Sequence, residues 1–173
     1  LLGGMLGDGY ALINAGVGGN SAREAMARYD RDVLAKKPDL ILIEFGGNNH
    51  DPGNQKRRVD DTEFKKHLAD FKAKVPAGCK VVVITFPPVI DEQHAYGNNP
   101  FFPDGLDKAC EPQREIVRKF AKDNSYPLVD LHRLMWDRRY EFILKDGVHL
   151  NAAGQKFFAE KVYETLKKEN MLK

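Results

Sequence analysis

Short apolar runs alternate with stretches of helical periodicity along the chain. Residues 10–15 (YALINA) form a brief apolar run next to glycines, which predicts a strand. Over residues 21–36, Ala22, Ala25, Met26, Tyr29 and Val33 recur at helical spacing. Ser21 followed by Glu24 fits a capping box at the start of that helix, and Pro38 closes it. Residues 39–45 (DLILIEF) read as a strand covered on both faces, ended by Gly46 and Gly47. Phe64, Leu68, Phe71 and Val75 share one face of a predicted helix over 61–75. After the turn at Pro76 and Gly78, residues 80–86 (KVVVITF) predict a second buried strand, stopped by Pro87 and Pro88.

Residues 87–106 break the pattern. They are rich in Pro, Gly, Asn and aromatics, and a loop this long in a compact domain is usually functional or disordered. Its apolar content argues against disorder. A helix over 111–123, a short strand over 127–131 and a less regular stretch over 132–145 follow. Asn151 then caps a last helix with Phe157, Phe158, Val162 and Leu166 on its apolar face. This order predicts an α/β fold, a three-layer α/β/α sandwich around a parallel sheet. Right-handed crossovers follow, and ligands bind at the carboxyl ends of the strands.

Composition narrows the function. A chain of 173 residues suits one domain, here the whole of 1–173. A formal net charge of +2 gives no reason to expect nucleic acid or an anionic membrane as partner. No apolar run approaches the roughly 18 residues of a membrane span. The two cysteines, Cys79 and Cys110, are too few for a disulfide scaffold and leave cytoplasm and secretion both open. The histidines show no HxxxH or HExxH spacing, so no metal site is expected. GVGGN is neither GxGxxG nor a P-loop, so no nucleotide cofactor is expected either. The basic run Lys56-Arg57-Arg58 reads as a solvated loop.

Three segments after strand ends share one chemistry. In Asn14-Ala15-Gly16-Val17-Gly18-Gly19-Asn20, glycines let the backbone approach a ligand just before a helix N-terminus, where free N–H groups favour an anion. In Gly46-Gly47-Asn48-Asn49, an Asn amide can donate into the same space. In Asp146-Gly147-Val148-His149, an Asp three residues before a His can orient the imidazole across a tight turn. A base, its orienting acid and two kinds of oxyanion donor make most of an acyl-transfer site. Ser21 and Ser125 are the only serines; the first suits a helix cap, and the second lies at a turn without catalytic context.

GVGGN, FGGNN and DGVHLN resemble the second, third and fifth sequence blocks of the SGNH (GDSL-type) esterases and lipases, with matching order over essentially the whole chain. The resemblance implies a flavodoxin-like sheet. It implies that Gly19 N–H and the Asn48 side chain line an oxyanion hole, and that Asp146 and His149 complete a Ser-His-Asp triad. The family's first block, a GDS motif, has no counterpart, since Gly7-Asp8-Gly9 lacks the Ser and lies too close to the second block. The resemblance therefore places the nucleophile upstream of residue 1, on a strand between those at 10–15 and 39–45. The expected substrate is a small-molecule or carbohydrate ester with a short acyl chain, acetyl above all. Tyr96, Phe101 and Phe102 of the long loop are candidates for the wall of the alcohol pocket, and His50 for its lining. Taken literally, a chain without a nucleophile is instead a catalytically inactive binding module that keeps the fold. A truncated reading is preferred, because a fold lacking an interior strand exposes unpaired edges.

Overall fold

The computed structural model describes residues 1–172. In chain order the helices are α1 (Leu2–Leu6), α2 (Ala22–Ala27), α3 (Tyr29–Asp32) and α4 (Asp61–Lys74), then α5 (Leu106–Asp123), α6 (Leu131–Met135), α7 (Arg139–Phe142) and α8 (Ala152–Lys168). The strands are β1 (Leu40–Glu44), β2 (Lys80–Ile84) and β3 (Leu128–Val129). They form one parallel sheet in the order β1-β2-β3, with Leu40 opposite Lys80 and Val83 opposite Leu128. Among the described residues, β1 pairs on one side only.

Apart from Glu44 at the end of β1 and Lys80 at the start of β2, the strands are apolar because both faces are covered. Ile41, Ile43, Val81 and Val83 point to one layer, where they meet Phe64, Leu68 and Phe71 of α4 and Val117 and Ala121 of α5. Leu40, Leu42, Val82 and Ile84 point to the other, against Leu131 and Met135 of α6, Phe142 of α7, and Val162 and Leu166 of α8. Each such large side chain, fully buried, stabilises the fold by roughly 1.5–3 kcal/mol. The expected three-layer α/β/α sandwich is what is observed. Asp60 caps α4 by accepting the Glu63 N–H at 2.8 Å, and Asn151 caps α8 by accepting that of Gly154 at 3.0 Å. No described helix is long and apolar enough to cross a membrane.

Three local expectations are corrected. Residues 10–15 form no strand; Leu12 and Ile13 are exposed, since no described strand lies alongside to pair with them. The helix expected over 21–36 is split at Arg28 and Val33 into α2, α3 and a 3-10 turn, Leu34–Lys36. At the first break the Arg28 guanidinium reaches back to the Ala15 carbonyl at 2.6 Å and the Asn20 side chain at 2.8 Å. Helix α5 starts five residues before the expected 111. Its first N–H groups are capped from a distance, because Asp91 accepts from Leu106 at 2.8 Å and Asp107 at 3.1 Å. Pro112 is carried inside it.

Candidate active site

The turn before α8 pairs two of the candidate residues. Asp146 Oδ1 accepts the backbone N–H groups of Val148 and His149, both at 3.0 Å, and Oδ2 lies 2.9 Å from His149 Nδ1. Those two N–H groups, His149's foremost, and then the His149 ring hold the Asp146 carboxyl down at about 2. Gly147 turns the chain at φ +78, a region that L side chains rarely adopt. The turn is anchored from outside, with the Leu144 N–H donating to the His149 carbonyl at 2.8 Å. The His149 side chain is 77% exposed, so its remaining nitrogen is open to a reacting partner.

The two candidate oxyanion donors sit on neighbouring loops. Gly19, at φ +77, lies just before α2, and Asn48 lies on the turn Gly47–His50 that follows β1. The Asn48 Nδ2 faces the Asn20 carbonyl at 3.4 Å, which brings the loops together. Gly46 is required where it stands: at φ +129, an added Cβ would lie 2.5 Å from the Phe86 ring. That ring cannot retreat, because the fully buried Arg114 guanidinium stacks over it at 4.4 Å.

Residues 87–105 form an ordered loop that reaches both halves of the site. At one end the Ile90 N–H donates to the Gly147 carbonyl at 2.8 Å, and the His94 backbone nitrogen lies 2.7 Å from where a Gly147 Cβ would be. At the other, the Phe102 and His50 rings are 6.5 Å apart, and the Tyr96 hydroxyl comes within 3.1 Å of a Cβ built on Gly53. Phe101 is exposed, with the Arg58 guanidinium over its ring at 5.5 Å. Phe102, a candidate for the wall of the alcohol pocket, is buried with Phe86, Val89, Leu106 and Cys110 and supports the loop from beneath. Burial holds the His50 imidazole, and likewise that of His94, below the usual range.

Several features were not expected from sequence. Arg57, in the basic run read as solvated, turns its guanidinium onto Gly19, with Nη1 3.3 Å from the position of a Cβ. Lys56 and Arg58 on either side of it are exposed. Asn49, beside the candidate donor, is buried and bonded across the loops. Neither Ser21 nor Cys110 stands in for a serine nucleophile. Ser21 is buried, and Glu24 accepts both its N–H at 2.9 Å and its hydroxyl at 3.2 Å. Burial pushes the Cys110 thiol up to about 12, which leaves it inert as a nucleophile.

Known proteins bear on this arrangement. The chain is 29% identical over 193 residues to an acetylxylan esterase of Xylanibacter ruminicola, an alignment that covers 95% of this chain and 37% of that protein. The chain thus spans little more than a third of that relative's length. Among solved structures, it superposes on the acetyl xylan esterase AlAXEase with a TM-score of 0.74 and 28% identity, covering 92% of this chain and 82% of that one. A lipase/acylhydrolase from Enterococcus faecalis shares the fold at a TM-score of 0.74 and 20% identity, over 90% of this chain and 73% of that one. The model of the GDSL-like Lipase/Acylhydrolase family matches residues 1–157, which hold the whole sheet, every helix but the greater part of α8, and the loops that carry Gly19, Asn48, Asp146 and His149, and the chain belongs to that family.

Proposed function

We propose that this chain is the larger part of a serine ester hydrolase domain that removes short acyl groups, acetyl above all, from alcohols or carbohydrates. The observation that carries the reading is the Asp146–His149 pair at 2.9 Å. With Nδ1 donating to an ionised Asp146, Nε2 holds the ring's lone pair and faces outward as a base. In this reading the serine Oγ attacks the ester carbonyl while His149 takes its proton. His149 then protonates the departing alcohol, and water repeats the sequence on the acyl-enzyme. Gly19 N–H and Asn48 Nδ2 receive the negative charge that develops on the carbonyl oxygen. The serine lies on a strand that precedes Leu1 and pairs with the open side of β1. The one-sided pairing of β1 among the described residues and the exposure of the apolar side chains Leu12 and Ile13 both support that placement.

The substrate class draws on the acetylxylan esterases among the relatives and on the loop 87–105. Phe101 offers an exposed aromatic face beside the cation of Arg58, suited to a sugar ring. Tyr96 and His50 line the same wall, and Phe102 holds it up. The test uses the natural protein with p-nitrophenyl esters of increasing chain length, acetylated xylo-oligosaccharides and a fluorophosphonate label. The expected result is fastest turnover of the acetyl ester and one labelled serine ahead of Leu1. Absence of turnover and of label, together with saturable binding of the acetylated sugar, would overturn the reading in favour of an inactive binding module.

A further inference from the structure

The two candidate donors belong to loops separated by nearly thirty residues of sequence, and something must hold them at a fixed spacing. A buried pair of amides lies at that junction. Asn49 is 2% exposed and Gln113, from α5, is 1% exposed. The Ala22 N–H, at the start of α2, donates to Asn49 Oδ1 at 2.9 Å. Asn49 Nδ2 donates to Gln113 Oε1 at 2.7 Å, and Gln113 Nε2 donates to the Val59 carbonyl at 2.8 Å. The Asn49 backbone is held as well: its N–H donates to Gly46 at 2.9 Å, and its carbonyl accepts from Val59 at 3.1 Å.

The ends of this chain of bonds fix its direction. Ala22 can only donate there, and the Val59 carbonyl can only accept. Each amide carries one acceptor atom and one donor atom, so both must point the same way for every group in the chain of bonds to be satisfied. Reversing either one would set two donors or two acceptors against each other in a buried site, a costly arrangement. Asn49 is therefore locked in rotamer and orientation from α5, and through it the start of α2 is tied to the turn that carries Asn48.

We propose that Gln113 and Asn49 are positioning residues that set the spacing of the Gly19 and Asn48 donors, an inference that rests on the oxyanion role proposed for those two. Neither amide touches substrate. Their effect is on how well the donors meet the oxyanion, which exists only as the reaction proceeds. It therefore falls on kcat and leaves KM nearly unchanged.

The test is a double-mutant cycle on the active protein with an acetyl ester. Asn48→Ala is expected to lower kcat by about 10²–10³-fold. Gln113→Leu is expected to lower kcat by about tenfold or more, with KM changed by less than about threefold. In the double variant the Gln113 loss should shrink, since only the Gly19 donor remains to be misplaced. A purely structural role for Gln113 gives losses that multiply, and that result overturns the proposal. So does a Gln113→Leu protein with full kcat. If Gln113→Leu does not fold, Gln113→Glu serves in its place: it still accepts from Asn49 but presents a carboxylate oxygen to the Val59 carbonyl. An Asn48→Ala variant with full kcat instead overturns the oxyanion reading, and the relay's function with it.

Discussion

Gly147 offers a measurement in which backbone strain and crowding separate. Replacing it with Ala does two things. It forces an L residue to φ +78, and it puts a Cβ 2.6 Å from the Ile90 carbonyl oxygen and 2.7 Å from the His94 nitrogen. Both neighbours are backbone atoms, so neither can swing aside like a side-chain tip. The first effect costs about 1–2 kcal/mol. The second is a case of overpacking and costs about 1–3 kcal/mol more. Gly78 supplies the control, because it has the same φ of +78 in the turn before β2 and nothing within 4 Å of its Cβ position. Gly78→Ala should therefore cost only the first amount, and Gly147→Ala about 2–5 kcal/mol in all. Urea unfolding followed by circular dichroism, with a common m-value, reads both as shifts in midpoint. Only Gly147→Ala should also lower esterase activity, since it lies between Asp146 and His149. Equal destabilisation by the two substitutions would refute the argument, for it would mean that the loop at 90–94 yields freely.

Other consequences can be checked separately. Asp146→Asn should reduce kcat by about 10⁴-fold, because the amide neither holds the imidazole in the required tautomer nor favours the imidazolium as the carboxylate does. Asp146 is depressed to about 2 in the folded protein, so its contribution to stability is present above pH 4 and lost as pH falls through about 2. The gap in thermal midpoint between wild type and Asp146→Asn should accordingly close over that interval and stay constant from pH 5 to 7. Arg114→Met removes a guanidinium that bonds Asp107 Oδ1 at 2.7 Å and the Pro87 carbonyl at 3.1 Å, leaving a buried carboxylate without its main cation. It should destabilise the protein by about 3–5 kcal/mol in urea unfolding. Phe101→Ala, at an exposed position, should leave stability within about 0.5 kcal/mol. It should raise KM for acetylated sugars and leave p-nitrophenyl acetate turnover intact; equal losses on both would remove Phe101 from the sugar-binding wall.

What can be read from sequence here divides by the range of the interactions involved. The central strands are legible because burial on both faces leaves continuous apolar runs at 40–43 and 81–84. The Asp146–His149 pair is legible because it closes within one turn, three residues apart. The run at 10–15 carries a similar apolar signature and yet makes no ladder, since a strand exists only beside another strand's backbone. The early start of α5 depends on Asp91, whose carboxylate reaches N–H groups 15 and 16 residues away. Asn49 and Gln113 are 64 residues apart, and no local pattern reports that their amides meet. Arg57 was hidden in the same way: a basic run reads as solvent-facing until the fold sets one of its members over Gly19.

The open flank of β1 also has a kinetic meaning. Among the described residues the five-residue stretch Leu40–Glu44 is paired on one side only, which leaves an edge of outward main-chain donors and acceptors. Any extended peptide of suitable register can dock there, whether it belongs to the same molecule or to a neighbour. During synthesis and refolding, intramolecular capture competes with second-order encounter, and the balance shifts with concentration. Yields of monomer should therefore fall as refolding is carried out at higher protein concentration. A short synthetic strand supplied in excess should occupy the flank and restore them.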